Sequence, residues 1–495
     1  MSPTDSTSTG PSGPSAPSAG LKRDALGTSD LVFIVVSAAA PLMVMVGVAP
    51  LAILVGGLGA PAAYLSAGIV LAVFAVGFTT MSRHVRNAGA FYSYIAAGLG
   101  RVAGVIAALV ALVSYNALQI GVYGLLGITA QEAFLDVFGV DLPWWLYALA
   151  GVVVVWYVGF RSVDFGARFL AIMLTAETGL LLVLAVAILV QGGSSEGIGF
   201  DSFHSDSLTA NGMASILPTA FAAFMGFEAT VIYRSETRHP ERTIPRATYV
   251  AVAVLAATYA FIVWSIIQAF GAGQVIAAAA SDPVGLFFAA SDHYVGGGFS
   301  TVMRLLMVTS VVASLVAFHN AVTRYTLAIA KEGLLPSALT RVHSGTRSPY
   351  VAGLAQTALA FVVVAGFALA QADPYGQLLI WVNTPGIFGI LLLQVAAAVS
   401  VVAYFRRRST AEGPWRTVVA PVAAALAMSA AMVLAARNVE LFTAASTTVN
   451  SVLLLTIPVT CVVGLAWALW LRAQRRATYD AVAADCCTAT VEVVR

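Results

Sequence analysis

Stretches of about twenty apolar residues, parted by short polar runs, repeat from Leu31 almost to the end of the chain. A helix needs about 20 such residues to cross a hydrocarbon core of about 30 Å. On that measure membrane helices are expected near 31–56, 61–81, 90–127, 144–160, 168–191, 212–233, 246–271, 300–330, 350–371, 376–404, 417–436 and 447–472, about twelve in all. The third and eighth are long enough to tilt strongly or to extend past the membrane. Orientation follows from Lys and Arg, which accumulate in cytoplasmic connections. With the N-terminus inside, the inner connections hold Arg83, Arg86, Arg161, Arg168, Arg234, Arg238, Arg242, Arg246, Lys331, Arg341 and Arg347. Arg406, Arg407, Arg408, Arg416, Arg472, Arg475 and Arg476 continue the series. The opposite connections 192–211 and 272–299 carry neither Lys nor Arg, and only Arg304 and Arg437 fall near the outer face. Both termini are therefore expected in the cytoplasm, and the chain in the cell membrane.

Composition agrees. The chain is 59% hydrophobic and 10% charged, with a mean hydropathy of +0.89, which excludes a water-soluble domain of this size. A net charge of +2, spread along the chain, offers no patch for nucleic acid. Of the three cysteines, Cys486 and Cys487 are adjacent and close no long loop, so they read as free thiols, while Cys461 reads as a small packing residue. His84, His204, His239, His293, His319 and His343 are scattered without ligand spacing, and neither HExxH nor GxSxG occurs. No metal site, cofactor or enzymatic activity is expected. The first 20 residues, rich in Ser, Pro, Thr and Gly, read as a disordered tail. No apolar core with a cleavage site precedes Leu31, so the first span is expected to stay in the mature protein.

Polar residues and helix breakers inside the spans carry the chemistry. Pro218 to Ala247, PTAFAAFMGFEATVIYRSETRHPERTIPRA, begins as an apolar span and places Glu228 beside Gly226. A carboxylate at that depth costs roughly 2.5–3.5 kcal/mol on insertion scales, which marks it as functional or as the partner of another buried group. The first span holds Pro41, Gly47 and Pro50, and the sixth, five helices later, holds Pro218 and Gly226. Interruptions at corresponding places in two halves point to a binding site between inverted repeats, although prolines also simply kink membrane helices. The expected organisation is a cytoplasmic tail at 1–28, a first repeat at 29–192, a second at 212–405, peripheral helices at 416–474 and a second tail at 475–495.

GFEATVIYRSETRHPERTIPRA resembles the sixth-helix signature of the amino acid–polyamine–organocation permeases, in which Gly-x-Glu/Asp precedes an acidic residue, Asn/His-Pro, a basic residue and a further Pro. RYTLAIAKEGLLPSALTRVHSGTRSPYVAG, from Arg324 to Gly353, is similar to the family's eighth helix and its inner loop. RHVRNAGAFYSYIAAGLGRVAGV, from Arg83 to Val105, is similar to its second-to-third helix run. The resemblance implies an all-α polytopic protein with the leucine-transporter type of five-plus-five inverted repeat, broken first and sixth helices, and a substrate site between them. It also implies secondary transport of amino acids or amines, driven by protons in several members.

Carried over residue by residue, the resemblance departs from the family in the first helix and at Glu177. The first-helix Gly-Ser/Ala-Gly turn, whose amides cradle a substrate carboxylate, falls here on Met43, Val44 and Met45. An α-amino acid substrate is thereby put in question, although Pro41 can still open the helix after Ala38, Ala39 and Ala40. The implied substrate-binding set is Glu228, Gly226, Phe224, Ala39, Ala40, Met43, Ser114, Tyr115, Gln119 and Phe318. Tyr115 and Gln119 share one helix face, with Asn116 a weaker neighbour, and Phe318 would add a cation–π term of roughly 0.5–2 kcal/mol. Each of these side chains also reads as packing or as a bond between helices. Glu177 stands where several relatives have a Lys that replaces a bound sodium ion, and reads either as a proton carrier or as a bond to a neighbouring helix. Glu177 and Glu228 are the expected coupling residues. Glu236 and Glu241 are the expected partners of the inner-loop arginines. The expected function is proton-coupled import of an amino acid or small amine by alternating access, with a putrescine-like amine permease, a substrate exchanger and, last, a non-transporting sensor as alternatives.

Overall fold

An apolar run placed in lipid must satisfy its backbone internally, and the helix does so within one segment. The computed structural model describes residues 26–85, 90–161, 167–209, 211–227, 230, 237–346, 348–408 and 410–482. Among these residues no β-strand forms, and a single isolated bridge joins Leu26 to Thr237. Among the described residues nine helices are long and apolar enough to cross a membrane, or ten if the bent pair Val275–Ser281 and Leu286–Tyr294 is one span. The outward faces carry Ile69, Val190, Val362, Leu369 and Val462, all at least 66% exposed, a surface that suits hydrocarbon. The chain is a multi-pass membrane protein.

The expected spans differ from these helices in informative ways. Residues 31–56 split into Thr28–Ala39, Pro41–Gly47 and Ala49–Gly56, and the run from Pro41 continues to His84. Within the sixth expected span the helix Asn211–Ala222 is followed by a turn through Phe227, where Gly226 takes φ 106°, and most of 228–233 lies outside the described residues. Only glycine adopts that conformation without steric cost, so the turn can take this course there. The third divides at Gly100, φ 97°, into Ala90–Leu99 and Arg101–Phe138. Trp144–Phe160 matches its expectation but has only 17 residues. The stretch 272–299, read as a loop, folds into the pair Val275–Ser281 and Leu286–Tyr294, bent by 119°.

Arg101–Phe138 packs against Val382–Arg406, Gly297–Lys331, Thr447–Gln474, Ala90–Leu99 and Trp144–Phe160. Small residues permit the closest of these approaches. A Cβ on Gly389 would lie 1.9 Å from the Ser114 hydroxyl, and one on Gly124 would lie 2.4 Å from the Pro374 carbonyl. Ala60–His84 pairs lengthwise with Pro240–Phe270, which also touches Thr28–Ala39 and Ala167–Val190. The basic ends of several helices meet: Arg83 lies 3.7 Å from Glu241 and 3.4 Å from Glu412, which also takes Arg416 at 3.2 Å. At the opposite end Arg304 reaches Asp136 at 3.1 Å and Glu132 at 3.8 Å, and its guanidinium stands 4.3 Å over the Phe288 ring.

Candidate functional site

The site is built around the interruption at Ala40. Pro41 has no N–H to give and disfavours a helical residue before it. Ala40 accordingly takes the left-handed region at φ 42°, ψ 73°, and the helix restarts as Pro41–Gly47. A new helix start exposes backbone amides that need acceptors. The carboxylate of Glu177 reaches across from Ala167–Val190 to the Leu42 backbone. The same carboxylate accepts a 2.9 Å bond from the Ser310 hydroxyl on Gly297–Lys331. Glu177 is 5% exposed, and Ala39, Ala40 and Met43 are buried beside the break. One carboxylate therefore joins three helices at the point where the first span opens.

Phe224 is fully buried at the start of the second interruption. Its ring meets Tyr259 edge-on at 5.8 Å, and Tyr259 in turn meets Tyr64 at 5.7 Å. Phe224 thus faces the pair Ala60–His84 and Pro240–Phe270. Gly226 follows in the turn. Glu228, the residue on which the sequence argument turned, lies outside the described residues, as do Arg234 and Glu236.

The expected residues of Arg101–Phe138 are placed apart from Phe224. Tyr115 belongs to a second aromatic cluster, 6.2 Å from Tyr325, which lies 5.6 Å from Tyr92. The Tyr92 hydroxyl donates to Glu332 at 2.9 Å. Gln119 is buried, accepts from the amide of Gln356 on Tyr350–Leu369, and donates to Tyr123 at 3.5 Å. Ser114 donates to its own helix at Val110 and sits in the seam with Gly386 and Gly389. Asn116 likewise donates to the Leu112 carbonyl. Phe318 is half-buried against the core, and its neighbour His319 packs on Gly159 and Gly353. Glu241 pairs with Arg83, an inner-connection arginine at the end of another helix.

Several polar residues that join these parts were not singled out from sequence: Ser310, Tyr64, Tyr259, Tyr325, Glu332 and Gln356. Their signal was present, since hydroxyls, amides and carboxylates in membrane spans usually face other helices or cavities. Separately, a cleft of about 40 Å³ is lined by Glu196, Asp201, Ser202 and Gln268, room for little more than water. It includes none of the expected site residues.

A low-affinity putrescine importer of Escherichia coli K12, PlaP, is 23% identical over 384 residues, 75% of this chain and 79% of the importer. An uncharacterized transporter of Mycobacterium tuberculosis H37Rv, Rv1979c, is 26% identical over 309 residues, covering 57% of this chain and 62% of that protein. Another from the same strain, Rv1999c, is 30% identical over 204 residues, 40% of this chain and 43% of that protein. These relatives are transporters and not enzymes. The amino acid permease family model matches residues 30–479, and the chain belongs to that family.

Proposed function

We propose that the protein is a secondary transporter that imports a small amine or an amino acid across the cytoplasmic membrane by alternating access, coupled to protons. The observation that carries this reading is the pair of helix interruptions, at Ala40 and at Gly226, with a buried carboxylate reaching the backbone of the helix start at the first one. Interrupted helices of this kind supply the binding groups in transporters built from inverted repeats. In this reading the chain crosses the membrane twelve times, with repeats at 29–192 and 212–405, peripheral helices at 416–474 and both termini cytoplasmic. The arginine-free connections, with only Arg304 and Arg437 near the outer face, support that orientation.

Glu228 receives the substrate ammonium group, next to Gly226 and Phe224. Ala39, Ala40 and Met43 form the opposite wall; Tyr115, Gln119 and Phe318 shape the approach, with Ser114 behind them. Glu177 is the coupling carboxylate. Uncharged, it carries a proton; charged, it secures the Pro41–Gly47 helix start. Changing between these two states changes the hold on the first helix, which is how a proton would bias alternating access.

An amine is favoured over an α-amino acid for two reasons. The Met43, Val44 and Met45 stretch lacks the small-residue turn that would admit a carboxylate to backbone amides. The putrescine importer among the relatives is an amine transporter by name. The family's own description favours an amino acid, and the test separates the two. Purified protein in proteoliposomes is given labelled putrescine and, separately, labelled amino acids. Uptake of putrescine that ethanolamine inhibits supports the amine reading; uptake of amino acids alone defeats it. Glu228→Gln is expected to abolish uptake while leaving the melting transition of the purified protein unchanged. Wild-type uptake by this variant removes Glu228 from the site.

A further inference from the structure

Thr447–Gln474 turns one face away from the rest of the molecule. Val452, Leu455, Val459, Val462, Trp467 and Trp470 recur along it at helical spacing, and each is between 39% and 66% exposed. At the charged end of this stripe the indole rings of Trp467 and Trp470 stack, with centroids 5.2 Å apart at 21°. The Arg475 guanidinium stands 5.5 Å from the Trp470 ring centre, where the backbone leaves the helix. Arg472 and Arg476, close by in the chain, are exposed.

At neighbouring helix ends the arginine charge is already taken. Arg83 and Arg416 are held by Glu412, Arg101 by Asp480 at 2.8 Å, and Arg407 donates to the Gly98 carbonyl at 3.1 Å. Arg476 reaches Asp480 only at 3.9 Å, and Asp480 lies nearer to Arg101. Arg472 and Arg475 meet no carboxylate among the described residues. An apolar stripe, then stacked indoles, then guanidinium groups without a counter-ion match in order the acyl chain, the glycerol layer and the phosphate of a lipid. Guanidinium is the side chain best suited to phosphate, because its planar fork donates two parallel bonds. A second copy of the chain is the poorer occupant of this face. A two-fold axis along the membrane normal would set the two Arg475 guanidinium groups against each other.

We propose that this end of Thr447–Gln474 is a binding site for an anionic phospholipid, with the phosphate on Arg475 and Arg472 and the acyl chains along the stripe from Trp470 to Val459. The headgroup is specified as anionic because a zwitterionic one carries its own cation, which the three arginines repel.

The test uses the full chain, purified in an uncharged detergent and titrated with phosphatidylglycerol or phosphatidylcholine whose brominated acyl chains quench tryptophan on contact. In the wild type, phosphatidylglycerol is expected to reach half-maximal quenching at a concentration about tenfold or more below that of phosphatidylcholine. Arg475→Gln and Arg472→Gln are each expected to raise the phosphatidylglycerol value about fivefold and to leave that of phosphatidylcholine unchanged. Melting without lipid is expected to match wild type in both variants, because both side chains are exposed, so a lost response reports the site and not the fold. Trp467→Phe combined with Trp470→Phe is expected to remove the saturable part of the quenching. Equal half-maximal concentrations for the two lipids in the wild type would leave only an unspecific lipid shell and overturn the site. Phosphatidylglycerol quenching that is unaltered in a variant carrying both arginine changes would overturn it too. Displacement of the lipid by millimolar glycerol phosphate would make this a site for a soluble anion instead. A dimer that Val462→Arg splits, with phosphatidylglycerol quenching unchanged, would assign the stripe to a second copy and defeat the lipid site.

Discussion

Ala40 holds a left-handed backbone, φ 42° and ψ 73°, in a fully buried setting at the helix break. For a residue with a Cβ this costs about 1–2 kcal/mol, and such strain persists only where the surroundings over-determine it. Ala40→Gly is expected to stabilise the purified protein by about 1 kcal/mol, and Ala40→Val to destabilise it by more, as read from melting midpoints. An unchanged midpoint for both would mean that the break is not held in this conformation. Glu177 supplies the second argument at this scale, because it accepts from the Ser310 hydroxyl and reaches the Leu42 backbone. Glu177→Gln keeps an acceptor oxygen there and removes the titrating group. The variant is expected to fold and to exchange substrate while its uptake no longer responds to a pH gradient. Glu177→Leu, which removes the acceptor too, leaves the Ser310 hydroxyl unpaired at a cost of about 1–3 kcal/mol and is expected to lower the melting midpoint as well. A gradient response in Glu177→Gln equal to wild type would remove Glu177 from coupling.

Among the helices, the ion pairs at the basic end differ in what they hold together. Glu412 has a largely buried side chain, 16% exposed, and takes Arg83 and Arg416, whereas Glu241 is 52% exposed. Exposed pairs contribute about 0.2–1 kcal/mol, and screening reduces the more exposed pair further. A double-mutant cycle between Arg83 and Glu412 is expected to give a coupling of about 1 kcal/mol, and the cycle between Arg83 and Glu241 less than about 0.5 kcal/mol. The reverse order would place the main tie at Glu241. This contrast also bears on what could be read from sequence. Apolar length gave the long helices, and Pro41, Gly47, Pro218 and Gly226 marked both interruptions. The division at Gly100 was not legible, because a lone glycine in an apolar run is usually tolerated within a helix. The 272–299 stretch read as loop because its two helices have only 7 and 9 residues. Glu177 was legible by its charge, but Tyr64, Tyr259 and Ser310 were not. A span that is apolar on every side has no polar face from which to tell which side chains meet. Glu241 was matched to the inner-loop arginines, and among them Arg83 reaches it from a helix 158 residues away.

At the scale of the whole molecule, the last described segment folds back on the basic face. After Thr447–Gln474 the backbone turns at Arg475 and the short helix Arg476–Ala481 follows. Asp480 pairs with Arg101 at 2.8 Å, and the Arg101 guanidinium lies 5.9 Å from the Tyr479 ring. Thr478 abuts Gly333, where an added Cβ would lie 2.7 Å from the threonine methyl. Val482 is fully buried and part of the core. These contacts join the last described segment to the start of Arg101–Phe138 and to the end of Gly297–Lys331, two helices that also pack against each other. Burying the Val482 side chain contributes about 1.5–2 kcal/mol, and the half-exposed Arg101–Asp480 pair about 0.2–1 kcal/mol after screening. Apolar burial therefore outweighs the ion pair in holding the segment down. Ending the chain after Gln474 is expected to lower the stability of the purified protein by about 2 kcal/mol, and Val482→Ser by most of that amount. Asp480→Asn is expected to cost less than about 1 kcal/mol, and raising the salt concentration should erase its difference from wild type while leaving that of Val482→Ser in place. Melting of the three proteins at low and high salt checks the order. A truncated protein as stable as the full chain would show that the segment rests on the bundle without supporting it.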